Sequence, residues 1–360
     1  MRKKCVWIIL GLAVVLAIGI MWFGKWKSEE RLRFAKRLGS GMNLGNSLDA
    51  TNLRDYDPDA AELDYELFWG NPKITEEQLC AIKEAGFSCV RIPVTWEDHM
   101  DAEGNISDVW MERVAEVIDM ALEEGLYVIL DTHHEEWLNL VLERENEICA
   151  RYGYAWKQIA ERFADYDEHL LFEGMNEPRL RDSEHEWDAG TPKMREMVNR
   201  LNAVFVDAVR KAGGKNPSRY LIISPYATNT QTEALEDLEV LDGNIIVAVH
   251  MYLPYSFCQD DEGTADWNAD DPDSAGQIRR VFSELNRLFI EKKIPVVITE
   301  YGCKDKDNQE ARMRWVLYYK ELADASGIPC IWWDDGSTYQ ILDRENVEWL
   351  HKELVEELVK

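Results

Sequence analysis

Eight short apolar runs, separated by segments with a helical period, leave this chain few architectures. The runs lie at 41–46, 89–94, 126–130, 170–173, 220–224, 245–249, 295–302 and 330–333. Runs that are apolar along their length are strands buried on both faces, as in parallel sheets. Between them, 109–124 carries apolar residues at 110, 114, 117, 118, 121 and 122, the spacing of one helix face. Similar patterns cover 151–166, 194–212, 233–240, 277–292 and 309–325. Thr75 opens a further helix that Gly86 closes, and a last one is predicted over 347–359. Eight strand–helix units predict an α/β fold, a single (β/α)8 TIM barrel rather than a doubly wound sheet. No Gly-x-Gly-x-x-Gly turn follows any run, which argues against a dinucleotide site. The stretches 48–70 and 253–272 read as long loops.

The chain has 360 residues, enough for one large core, and a formal charge of −28. So acidic a surface repels phosphate backbones, so no nucleic-acid partner is expected. Arg2, Lys3 and Lys4 precede an uncharged stretch at 5–24. At a rise of about 1.5 Å per residue it could span a bilayer, with the cations held inside. Residues 1–28 are therefore expected to be a signal anchor or a removed signal peptide. Residues 29–360 are expected to form an exported catalytic domain, extracellular and either membrane-anchored or secreted. The seven cysteines show no metal-site spacing, and Cys80, Cys89 and Cys330 read as small core residues.

In a barrel of this type the site lies where strands end. The run from Leu170 ends in Asn176 and Glu177, and the run from Pro295 carries Glu300. Paired carboxylates at two strand ends suit acid/base and nucleophilic work on a glycosidic bond. The other ends supply Asn46, Arg91, His133, His250, Tyr252 and Trp333, which are polar or aromatic. Asp131, His133, His134, Glu135 and Glu136 raise the thought of a metal, but adjacent histidines seldom share one ion, and neither metal nor cofactor is expected. Trp69, Trp96, Trp137, Tyr226 and Trp267 lie in loops on the same side, as outer sugar platforms or as packing.

The segments GMNLGNSLDA, FWGNP, VRIPVTW, LDTHH, FEGMNEPR, VHMY, ITEYG and IWWDDG, in this order, resemble glycoside hydrolase family 5. The match is most similar to its subfamily 4, whose members cut mixed-linkage glucan, cellulose and xyloglucan. Met42 stands where the family pattern leads one to expect Trp, which bears on packing or a nearby subsite. The resemblance implies a retaining endo-β-1,4-glucanase with Glu177 as acid/base and Glu300 as nucleophile. It implies Asn176 on the sugar 2-hydroxyl, His133 and His250 orienting hydroxyls and Glu177, and Trp333 under the reacting sugar. Glu177 is then expected to have a raised pKa, and Glu300 to stay ionised through Arg91 and Tyr252. A xyloglucanase or mannanase with the same machinery is the nearest alternative; a non-catalytic carbohydrate-binding barrel is the more distant one.

Overall fold

The eight runs become strands β1 (Ser40–Asn43), β2 (Cys89–Ile92), β3 (Tyr127–Asp131), β4 (Leu170–Glu173), β5 (Leu221–Ile223), β6 (Ile245–His250), β7 (Val296–Tyr301) and β8 (Cys330–Trp332). They come from a computed structural model that describes residues 28–241 and 243–360. All pair in parallel, in sequence order, and β1 closes on β8. The principal helices are α1 (Glu76–Ala85), α2 (Asp108–Glu123), α3 (Glu145–Arg162), α4 (Pro192–Lys211), α5 (Thr232–Glu236), α6 (Ser274–Leu288), α7 (Gln309–Ser326) and α8 (Lys352–Val359). The Thr75 hydroxyl caps α1 by accepting from the Gln78 amide, and Gly86, at φ +109°, ends it in the left-handed region.

Alternation along each strand divides the core in two. Val90, Ile92, Val128, Leu130, Leu170 and Phe172 belong to the large cluster shared with the helices. Their neighbours Cys89, Ile129, Leu171, Ile222, Ile246, Ala248, Val297 and Ile331 fill the barrel interior. A helix over 28–36 brings Phe34 and Ala35 onto this inner cluster, and the Phe34 ring stacks on Tyr220 at 3.7 Å. One end of the barrel is thus stoppered by apolar side chains, each contributing about 1.5–3 kcal/mol on burial. Polar groups gather at the other end.

Several boundaries differ from the sequence expectation. β1 ends at Asn43 because Asn46 sits at φ +57°, already in a turn. α3 starts at Glu145 rather than 151. The last helix begins only at Lys352, since Val347 lies at φ +54° and the preceding segment forms a two-stranded ribbon, Leu342–Asp343 with Glu348–Trp349. The acidic loop at 48–70 holds short helical turns, pinned where Glu66 pairs with Arg113 at 2.7 Å. Met42 is fully buried in the helix-facing core, so it serves packing. Cys80, Cys89, Cys149, Cys258, Cys303 and Cys330 are free thiols. The expected anchor or signal falls on residues that lie outside those described, except Ser28; among the described residues no helix is long and apolar enough to cross a membrane.

Candidate active site

Stepping two residues on from the inner apolar layer leads to the site. Gly41 gives Asn43, Cys89 gives Arg91, Ile129 gives Asp131, Leu171 gives Glu173 and Ala248 gives His250. Arg91 is fully buried and organises this layer. Its Nε donates to Glu173 at 2.6 Å, and Nη1 donates to Asn43 Oδ1 at 3.0 Å and to Glu300 Oε1 at 2.9 Å. Nη2 lies 2.7 Å from Asp131 and donates to Asn176 Oδ1 at 2.9 Å. Burial alone would lower its pKa; Glu173, Asp131 and Glu300 outweigh that and raise it. The cation is permanent.

Simple alternation would send Glu300 outward, because Val297 and Thr299 already face in. Thr299 donates to Glu173, and its carbonyl accepts from Asn43. A register shift between Ile298 and Tyr301, matched by one on β6 between Val249 and His250, brings His250 opposite Glu300. Such irregularities re-aim side chains next to functional sites. Glu300 then receives Arg91 on one oxygen and the Tyr252 hydroxyl, at 2.9 Å, on the other.

Glu177 is delivered differently, four residues beyond β4. The strand exit is held at Gly174, whose carbonyl accepts from Thr132 Oγ1, Tyr152 and Trp156 at 2.7, 2.6 and 3.1 Å. A Cβ there would come within 2.7 Å of Phe205, so glycine is required. The Asn176 amide is tied to the Thr132 carbonyl at 2.9 Å. Since Arg91 claims Asn176 Oδ1, the side-chain NH2 is the group left for a ligand. Glu177 Oε1 accepts from His250 Nδ1 at 3.0 Å, and that nitrogen is 3.4 Å from Glu300 Oε2. One oxygen of each glutamate and a nitrogen of His250 all lie within 4.8 Å of one another.

The electrostatics reverse the expectation for the two carboxyls. Burial pushes Glu177 up, but the His250 hydrogen bond and charge, with Arg179, hold it down to about 2. Glu300 is raised, chiefly by burial and by the charge of Glu177, against His250 and Arg91. His250 is raised too: burial opposes its charge, and Glu300 and Glu177 overcome that. The physical reason is that Arg91 already serves Asp131 and Glu173, so the site carries surplus negative charge. Between both glutamates, the charged form of His250 is favoured.

A cleft of about 910 Å³ opens above this layer, lined by His133, His134, Asn176, Glu177, His250, Tyr252, Glu300 and Trp333. His133 is kept neutral by burial and by Arg91, with Nδ1 bonded to Asp131 at 2.7 Å, which leaves Nε2 to accept from a ligand. Trp333 lies parallel to the His133 ring at 5.8 Å, and only glycine at 45 leaves room for it, since a Cβ would come within 2.6 Å of its ring. Its neighbour Trp332 turns the other way and is buried. Asn46 is not brought into this cluster; its amide bonds Asp49 and its carbonyl accepts from Asn71. Asn43 takes the place next to Arg91. Asn43 and Glu173 are found only by counting two residues on from Gly41 and Leu171 once the inner layer is known. Asp49, His133 and His134 also place donor atoms within 4.8 Å. Asp49 already accepts the Ser47 and Asn46 amides and His133 is bonded to Asp131, so two of the three are engaged by protein partners.

Trp96, Trp137, Tyr226 and Trp267 are buried and belong to packing, whereas Trp69 remains partly open against His134. The exposed aromatics on the cleft are Trp187 and Tyr255.

A closed parallel barrel with two glutamates meeting across an open cleft at the strand ends defines a glycoside hydrolase. The profile of the cellulase family, glycosyl hydrolase family 5, matches residues 54–338. The chain belongs to that family. It is 38% identical to endoglucanase A of Ruminococcus albus over 351 residues, 94% of each chain. Among solved structures, a xyloglucan-specific endo-β-1,4-glucanase from a metagenomic library, in complex with cellotriose, superimposes with a TM-score of 0.87 and 39% identity. That superposition covers 92% of this chain and 99% of the other. A subfamily 4 broad-specificity endoglucanase from Ruminococcus champanellensis with bound cellotriose gives 0.86 and 35%, covering 90% and 96%.

Proposed function

We propose that this glycoside hydrolase is a retaining endo-β-1,4-glucanase that cuts internal bonds of cellulose or mixed-linkage β-glucan. The observation that carries the reading is the approach of the Glu177 and Glu300 oxygens within 4.8 Å, on a cleft of about 910 Å³. Carboxyl groups about 5–5.5 Å apart suit a double displacement; inversion needs more room for water.

Glu300, fixed by Arg91 and Tyr252, attacks the anomeric carbon as the glycosidic C–O bond breaks. Glu177 gives its proton to the departing oxygen. In the free site the two glutamates favour that proton on His250, one hydrogen bond away. As the Glu300 charge is consumed in the new bond, His250 loses the anion that held its proton and can pass it to Glu177. Water then attacks the same carbon, Glu177 takes a proton from it, and Glu300 leaves as carboxylate. The net change is addition of one water. Asn176 would bond the 2-hydroxyl, His133 the neighbouring hydroxyls, and Trp333 would support the sugar's C–H face.

Cutting a cello-oligosaccharide under proton NMR should show the β-anomer first; α-product would require an inverting scheme. A chelator should leave the rate unchanged, and a loss reversed by added metal would implicate Asp49, His133 and His134. Xyloglucan is the second reading, favoured by the 39% identity to the xyloglucan-specific enzyme. Rates on barley β-glucan, carboxymethyl cellulose and xyloglucan separate the two. We infer that residues 1–28 direct export as an anchor or a signal and that 29–360 form the catalytic unit. Membrane retention of the full chain, lost when 1–28 are deleted, would distinguish anchor from cleaved signal.

A further inference from the structure

The loop after β4 does more than carry Glu177. Arg179 Nη1 donates to the Glu177 carbonyl at 2.9 Å and lies 3.5 Å from Oε2, the oxygen not taken by His250. Its Nε donates to Glu186 at 3.2 Å, and the guanidinium carbon stands 3.9 Å from the centroid of the Trp187 ring. The loop is braced from outside: the Leu180 amide donates to the Tyr226 hydroxyl, which donates to the His185 carbonyl. Trp187 is 58% exposed and lines the cleft beside Glu177. So large an indole, stacked on a cation and open to a polysaccharide cleft, is built to hold something flat.

We propose that Arg179 is a positioning residue for Glu177, and that Trp187 is the aromatic platform for the leaving-group sugar, so one cation–ring stack joins sugar binding to proton donation. The inference rests on Glu177 being the acid/base. Its side follows from the contacts. Oε1 faces His250, which touches Glu300, whereas Oε2 faces Arg179, on which the Trp187 ring is stacked. The reacting sugar must meet Glu300, so the departing sugar extends past Glu177 over the Trp187 ring. A sugar seated there would exclude water from the Arg179–Glu177 contact and strengthen it.

The charges around Glu177 set the direction of the pH effect. His250 and Glu300 face it from β6 and β7, His133 and His134 from the loop after β3, and Glu186 partly offsets Arg179 from behind. With Arg179 removed, the proton shared across the His250–Glu177 hydrogen bond should be held to higher pH, so the alkaline limb of kcat/KM should move up.

The test compares Arg179→Met, Arg179→Lys and Trp187→Ala on barley β-glucan across pH, with thermal melts as folding controls. Arg179→Met should shift the alkaline limb upward by about one pH unit, as removal of a nearby charge does. Arg179→Lys should keep the wild-type limb. Trp187→Ala should raise KM on glucan by roughly tenfold, the loss of one stacking contact, with a smaller upward shift of the same limb. An Arg179→Met enzyme that melts normally and loses rate without any limb shift overturns the positioning role. An unchanged KM in Trp187→Ala overturns the platform. If instead Glu177→Gln retains full activity, it is the acid/base reading that fails.

Discussion

The two glutamates stand at the ends of β4 and β7, yet they are held in opposite ways. Glu300 lies inside its strand, 7% exposed, with Arg91 and Tyr252 each donating to one oxygen. Glu177 lies four residues past its strand, 20% exposed, between His250 and Arg179. On the proposed roles, a bulged strand aims the group that attacks as an anion, and a loop aims the group that must gain and lose a proton at a departing oxygen. The difference teaches that two residues of one type can be given different settings by their position along the strand end.

The largest test of that contrast is Glu300→Gln. An amide keeps the shape but cannot form the glycosyl ester, so turnover should fall by at least about 10³-fold while glucan binding survives. Near-wild-type rates in this variant would sink the division of roles. Glu177→Gln should be milder and depend on the leaving group. On β-glucan the loss should be about 10²–10⁴-fold, the usual worth of general acid catalysis. On a dinitrophenyl cellobioside, whose leaving group needs no proton, the first step should fall far less. Equal losses on both substrates would erase the contrast.

The sequence made the barrel and the glutamate pair legible because strands buried on both faces are continuously apolar, and a Glu following such a run stands out. Glu173 did not, since it looked like the ragged end of LLFE and only the two-residue alternation from Leu171 places it inside. Asn43 and Asn46 stand three residues apart at the end of the first run, and the turn at φ +57° that carries Asn46 away from Arg91 leaves no mark in composition. The pull toward a charged His250 was equally hidden. It depends on three carboxylates sharing Arg91, a count that exists only once β2, β3, β4 and β7 are assembled.

The smallest expected effect separates charges held for chemistry from charges held for packing. Glu135, just past β3, is fully buried and accepts from the Trp96 amide at 2.8 Å and the Trp137 indole at 3.1 Å, away from the reacting pair. Burial pushes its pKa up to about 8. The folded protein therefore keeps this proton from about pH 4.5 to 8, where the unfolded chain has released it. Its contribution is full below pH 4.5 and fades as pH rises toward 8, by at most about 5 kcal/mol. Asp49, raised to about 7 by burial, adds a slope of the same sign. Glu177 runs the other way: held down to about 2, it contributes above pH 4.5 and that contribution is lost as pH falls toward 2. Melting temperature measured from pH 5 to 8.5 should decline, and Glu135→Gln should flatten the decline without moving either limb of the kcat/KM profile. A flattened melt accompanied by a displaced catalytic limb would mean that Glu135 speaks to the reacting pair, and the line between packing and chemical charges would have to be redrawn.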